Sequence, residues 1–119
     1  MKRNDLTGRL LEFSINVILF LRKLQNTEEY RVIKHQLIKS STSSGANYEE
    51  AQGASSKADF TNKVRISLKE MRESNYWLKV TKGILLNEEL EKDCLVLIQE
   101  SKELKNILGA ICINTERKK

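Results

Sequence analysis

The feature that most constrains this chain is the spacing of its apolar residues. Leu6, Leu10, Phe13, Val17, Phe20 and Leu24 recur at steps of 4, 3, 4, 3 and 4. A helix of 3.6 residues per turn gathers such a series onto one side, whereas a strand scatters it over two. Three further series keep a helical spacing. They are Tyr30, Ile33, Leu37, Ser41, Ser44, Tyr48 and Ala51; Phe60, Val64, Leu68, Met71, Asn75 and Leu78; and Leu90, Cys94, Leu97, Ser101, Leu104, Leu108 and Ile111. Proline is absent from the 119 residues and glycine occurs five times. Few tight turns are therefore on offer, and a β-sandwich of this length needs many. Four stripes with short joints predict an all-α fold, an antiparallel up-and-down four-helix bundle. It forms one domain over residues 1–119, with helices at about 5–25, 28–52, 57–82 and 87–113.

Local chemistry sets these limits. Asp5 suits the positive end of the first helix. Thr27 is placed to cap the second, with Glu28 and Glu29 in its first turn. Ser56 and Asp59 offer caps for the third, and Asn87 for the fourth, followed by Glu88, Glu89 and Glu91. Lys82-Gly83 marks an end, with Gly83 at the position after the C-cap. Ile84-Leu85-Leu86 reads as an apolar connection tucked under the bundle, and the residues after Ile113 as a loose basic tail. The run from Ser40 to Ala46 has the composition of a linker. Apolar spacing stays in register through it, so it reads as helix whose small side chains admit a close neighbour, with a loop as the alternative. On the first helix, Leu11, Ile15, Ile18 and Leu19 widen the apolar surface. That predicts more than one neighbour, another subunit included.

Lys and Arg total 21 against 16 Asp and Glu, a net charge of +5 and a pI near 9.3. Such a balance favours polyanionic partners, although a surplus of lysine also serves plain solubility. Part of the surplus is terminal, in Lys2, Arg3, Arg117, Lys118 and Lys119. The rest has a pattern. Arg65, Lys69, Arg72 and Lys79 stand at steps of 4, 3 and 7 on one face of the third helix, with Tyr76 in the gap. A nucleic-acid backbone can use such a row, with Tyr76 available to stack. Charges flanking a bundle seam also commonly pair with Glu on adjacent helices. Arg31, Lys34, His35 and Lys39 form a second, weaker basic set. Asn47, Glu50, Glu70, Glu73 and Trp77 lie near seams. They read as a buried polar network that sets register rather than reacts, with Trp77 as a core or interface anchor.

Catalytic chemistry finds little to work with. His35 is the sole histidine, and a general base needs a positioned partner. A di-iron bundle needs Glu-x-x-His on two helices; Glu70-x-x-Glu73 occurs, but Glu-x-x-His does not. No glycine loop of a phosphate-cradling type is present. The expectation is no enzyme, no cofactor and no metal. Cys94 and Cys112 form no CxxC motif. On one straight helix they stand about 27 Å apart, too far for a disulfide, so free thiols in a reducing cytoplasm are expected. The stretch from Leu10 to Leu24 is interrupted by Glu12, Ser14, Asn16, Arg22 and Lys23. It reads as a core helix rather than a leader or a membrane span.

Two linked stretches, residues 36–51 and 59–78, carry a resemblance. The first holds the Ser/Gly/Ala run and Asn47-Tyr48-Glu49-Glu50, and the second Leu68-Lys69-Glu70-x-x-Glu73-x-x-Tyr76-Trp77-Leu78. In order and separation they resemble the bacterial four-helix bundle family named after a protein encoded in 23S ribosomal RNA intervening sequences. The resemblance runs from the first helix to Ile111. It implies a small cytoplasmic bundle that assembles as a ring, typically a homopentamer, without known enzyme activity, and it places the Ser/Gly/Ala run inside the second helix. A related accessory protein of diversity-generating retroelements is a basic pentameric barrel that binds nucleic acid and a reverse transcriptase. Met71 and Ser74-Asn75 depart from the Ala and Thr-Glu usual in the family. The reading is a non-enzymatic, oligomeric nucleic-acid-binding bundle. RNA is the first partner, with DNA or an RNA-associated protein behind it. The alternative is a protein–protein adaptor whose positive charge is incidental.

Overall fold

The computed structural model describes residues 3–117, in four helices and, among those residues, no strand. They are α1 (Arg3–Leu21), α2 (Glu28–Ala51), α3 (Lys57–Ile84) and α4 (Glu88–Arg117). Each packs against two neighbours in the cyclic order α1, α2, α3, α4, leaving α1 and α3 across the diagonal. Cross-helix contacts fix the directions. Ser14 reaches Ser41, and Leu10 lies against Gly45. Ser40 meets Ser74 and Ser44 meets Ser67. Asn75 meets Ser101, and the Leu78 carbonyl meets Cys94. Arg9 meets Glu100, and Lys23 meets Asp93. In every pair the numbering rises on one helix as it falls on the other, so neighbours run antiparallel within an elongated body of 48 × 24 × 20 Å.

The α1 seam is buried at all six positions from Leu6 to Leu24, with Leu21 added. Apolar side chains of this size contribute about 1.5–3 kcal/mol each when fully buried. Leu37, Tyr48, Val64, Met71, Leu78, Cys94, Leu104 and Leu108 complete the centre. The Ser-rich run is helical throughout, inside α2. Ser40, Ser41 and Ser44 are buried there, Ser40 and Ser44 opposite Ser74 and Ser67 of α3 and Ser41 beside Ser14 of α1. Met71 is fully buried, and Asn75 donates to the Ser101 hydroxyl at 2.8 Å.

The caps at Thr27, Ser56 and Asn87 are as expected. Their side-chain oxygens accept from the backbone N–H of Tyr30, Asp59 and Leu90 at 3.3, 3.0 and 3.0 Å. The ends differ from expectation in four places. α1 stops at Leu21, because Lys23 and Leu24 bond three residues back rather than four and tighten the chain into a turn. Leu24 still falls into the seam from that turn. α3 runs through Gly83 to Ile84, and no glycine among the described residues has positive φ, so Gly83 is no αL cap. The stop is Leu85, extended at ψ 138°, whose N–H closes on the Thr81 carbonyl. The connection is not tucked away: Leu85 packs on the core, but Leu86 is 100% exposed. Finally, α4 continues to Arg117, so residues 114–117 are helical rather than a loose tail. Thr115 bonds back to the Ile111 carbonyl at 2.8 Å. Lys118 and Lys119 lie outside the described residues.

Candidate nucleic-acid interface

Helical spacing brings Arg65, Lys69, Arg72, Tyr76 and Lys79 to one outward face of α3, and all five are exposed. From Arg65 to Lys79 the row spans about 21 Å at 1.5 Å per residue. For three of the four cations, pairing with Glu on adjacent helices is not what the structure gives. Lys69, Arg72 and Lys79 enter none of the ion pairs found among the described residues, which instead join Arg9 to Glu100 and Glu103, Lys23 to Asp93, and Lys63 to Glu50. Three cations one and two helical turns apart, without bonded counter-charges, create a positive potential that an incoming polyanion neutralises.

The row has an edge on α4 that sequence reasoning missed. The Asn75–Ser101 hydrogen bond fixes the α3–α4 register. Lys105, one turn beyond Ser101, shares its α3-facing side, and Lys102 follows Ser101 directly on the outer rim of that side. In an antiparallel pair both stand at the level of Arg72 and Lys69. Lys102 is exposed and Lys105 half-buried, and neither is ion-paired among the described residues. The signal was available as Lys102-x-x-Lys105 beside a seam serine. It had no meaning until the register of α3 against α4 was known.

The other side of α3 is acidic. Glu70 and Glu73 are half-buried toward α2. Burial pushes the Glu70 carboxyl above its ordinary value, and the Glu73 charge adds to this, while Lys69 and Lys39 pull it back. Glu73 accepts from the Trp77 indole N–H at 3.1 Å. Trp77 packs on the core and meets Tyr76 edge-on, with ring centroids 5.4 Å apart.

The second basic set is dispersed. Arg31 donates to the Asn26 carbonyl at 2.8 Å, and Lys34 to the Leu24 carbonyl and the Asn26 side chain at 3.0 and 2.7 Å. These two cations satisfy carbonyls of the α1–α2 connection, a structural task. His35 is exposed, and Lys39 faces the Glu70 side of α3. The expected buried network of Asn47, Glu50, Glu70, Glu73 and Trp77 is likewise not one unit. Asn47 bonds within α2 to Ser43, and Glu50 is exposed and paired with Lys63 at 2.9 Å. The polar groups that do set register are the hydroxyls of the α2–α3 seam.

Other chemistry is sparse. No group of three or more His, Cys, Asp or Glu among the described residues is placed to hold a metal ion. Cys94 and Cys112 form no disulfide with each other, and both are buried. Burial pushes the Cys94 thiol up to about 11. An apolar groove of about 950 Å³ opens at the end of the bundle that holds the α1–α2 and α3–α4 connections, with Trp77, Tyr30 and Leu90 in its wall. No helix of the described residues is long and apolar enough to cross a membrane.

Comparison with known proteins agrees with this architecture. The family model described as 23S rRNA-intervening sequence protein matches residues 2–110. A solved structure from Bacteroides thetaiotaomicron, described as a protein of unknown function from the S23 ribosomal protein family, superposes with a TM-score of 0.78. It is 32% identical, over 90% of this chain and 97% of that one. No curated protein matches.

Proposed function

The chain belongs to the 23S rRNA-intervening sequence protein family, and from that premise we propose that it is a non-enzymatic, self-assembling bundle that binds RNA through phosphate neutralisation. The observation that carries this reading is the cationic face of α3 and α4: Lys69, Arg72, Lys79, Lys102 and Lys105, without ion-pair partners among the described residues, around an exposed Tyr76. Arg65 extends the row. Lys and Arg that displace counterions from a nucleic-acid backbone give affinity with little sequence preference.

Self-assembly is part of the proposal because one bundle carries a small net charge, whereas a ring repeats the face. A homopentamer is the assembly that the family resemblance implies. The outer side of α1 supports association, since Leu11 is 61%, Ile15 42% and Leu19 47% exposed on the face turned away from the core. An exposed apolar stripe of this kind marks an interaction surface.

The test is light scattering of the purified protein with and without a mixed RNA, at low and high salt. A ring of subunits should bind RNA at about 50 mM salt and lose two to three orders of magnitude in affinity by about 200 mM. Salt-insensitive binding excludes the phosphate mechanism. An assembly that ignores RNA but holds a protein partner at high salt assigns the face to an adaptor.

A further inference from the structure

We infer that the basic face takes unpaired nucleotides rather than duplex, with Tyr76 as a stacking platform for a base. The inference rests on the RNA-binding reading above and narrows its ligand class. Tyr76 stands inside the row, four residues after Arg72 and three before Lys79, so a cation flanks it by about one helical turn on either side. Tyr76 is 59% exposed, although Trp77 is its sequence neighbour and packs on the core.

The ring also has an aromatic neighbour. Adjacent residues on a helix do not normally face each other, yet Tyr76 and Trp77 meet at 5.4 Å with their planes 76° apart. Trp77 is itself tied by its indole N–H to Glu73 and by its packing on the core. An aromatic surface is thus presented to solvent beside a packed neighbour. In a solvent-facing position that surface suits a ligand that brings its own π-face.

Duplex RNA does not bring one. Its bases are stacked on one another, and proteins read it through shape, 2′-hydroxyls and phosphates. Pressed against this helix, a duplex would set its backbone on Tyr76. A single strand can lay phosphates along Arg72, Lys79 and the α4 lysines while turning a base onto the ring, the combination that single-strand binders use. Glu70 and Glu73 bound the strand on the α2 side, because their carboxylates repel phosphate there.

The experiment is fluorescence anisotropy of the full chain at low salt with three labelled RNAs. They are a uridine single strand of about ten nucleotides, the same backbone with abasic residues, and a duplex of equal length. Wild type should prefer the uridine strand to both others. Tyr76→Ala should weaken it by about ten-fold and leave the abasic strand unchanged; Tyr76→Phe should restore binding. Lys79→Gln should weaken uridine and abasic strands alike. Circular dichroism confirms that each variant stays helical. Equal binding of uridine and abasic strands, tighter binding of duplex, or an unchanged Tyr76→Ala overturns the stacking inference and leaves the phosphate reading standing. Failure to bind any of the three overturns both and gives the face to an acidic protein partner.

Discussion

Ser44 of α2 and Ser67 of α3 exchange hydrogen bonds in both directions. The Ser44 hydroxyl donates to the Ser67 carbonyl at 2.8 Å, and the Ser67 hydroxyl donates to the Ser44 carbonyl at 2.7 Å. Both residues are fully buried. Two hydroxyls can do this only where the helix backbones approach closely, so small side chains and short distance are one condition. One turn back on α2 and two turns on along α3, the Ser40 and Ser74 hydroxyls meet directly at 2.8 Å. Ser67→Ala removes one donor and should cost about 1 kcal/mol. Ser67→Leu forces the helices apart and should cost about 3 kcal/mol. Urea unfolding measures both, and the double change Ser44→Ala with Ser67→Ala should cost less than the sum of the single ones.

Gly45 tests how tight the α1–α2 approach is. A Cβ at this position would lie 3.6 Å from the Leu10 Cβ and 3.7 Å from its carbonyl oxygen, ordinary van der Waals contact. Gly45 sits in the interior of α2 with ordinary helical φ, where glycine costs roughly 0.5–1 kcal/mol relative to alanine. Gly45→Ala should therefore stabilise the protein by about that amount, seen as a higher urea midpoint with unchanged slope.

The sequence spacing carried the four helices, their N-caps and the α1 seam, because period and capping are local properties. Tertiary relations were harder to read. Spacing and hydrophobicity put Phe60 and Leu68 in the α3 seam, yet both are only half-buried, while Thr61, Ser67, Ser74 and Thr81 are buried. The α2–α3 interface selects size over hydrophobicity, and that preference shows only when both helices are seen together. The same holds for the site. The α3 row follows from spacing within one helix, but Lys102 and Lys105 join it through the register of a second. Arg31 and Lys34 belong to the weaker basic set by spacing, and the turn carbonyls they satisfy give them a structural task that spacing does not show.

Cys94 gives a pH dependence with a definite sign. Its thiol is fully buried and donates to the Leu78 carbonyl at 3.3 Å. Desolvation raises its pKa from 9.0 to about 11, the Lys82 charge opposing and the Glu91 charge assisting. The folded state thus holds its proton more tightly than the unfolded chain. The stabilisation is fully present below about pH 9 and is lost as pH rises toward about 11, with a slope of up to ~1.4 kcal/mol per pH unit. Unfolding free energies measured from pH 8 to 11 should fall more steeply in wild type than in Cys94→Ala. At neutral pH Cys94 should react with a thiol reagent only as fast as the protein opens. Rapid labelling of the native state at this residue would contradict the assigned burial.

The outer face of α1 yields the assembly prediction. Leu11, Ile15 and Leu19 turn away from the core while Leu10, Phe13 and Val17 fill it, so α1 is apolar on two sides. Burying the outer residues against another copy would contribute about 1.5–3 kcal/mol per side chain. A carboxylate at the centre of that contact would be left desolvated and unpaired. Ile15→Glu should reduce the mass seen by light scattering to that of a single chain while the helical circular dichroism is retained, since Ile15 takes no part in the core. Val32→Glu is the control: Val32 is 51% exposed on α2, at the wall of the end groove, and the change should leave the assembly intact. If wild type is already monomeric, or if Ile15→Glu assembles as before, the stripe is not the contact. The repetition of the basic face around a ring would then need another interface.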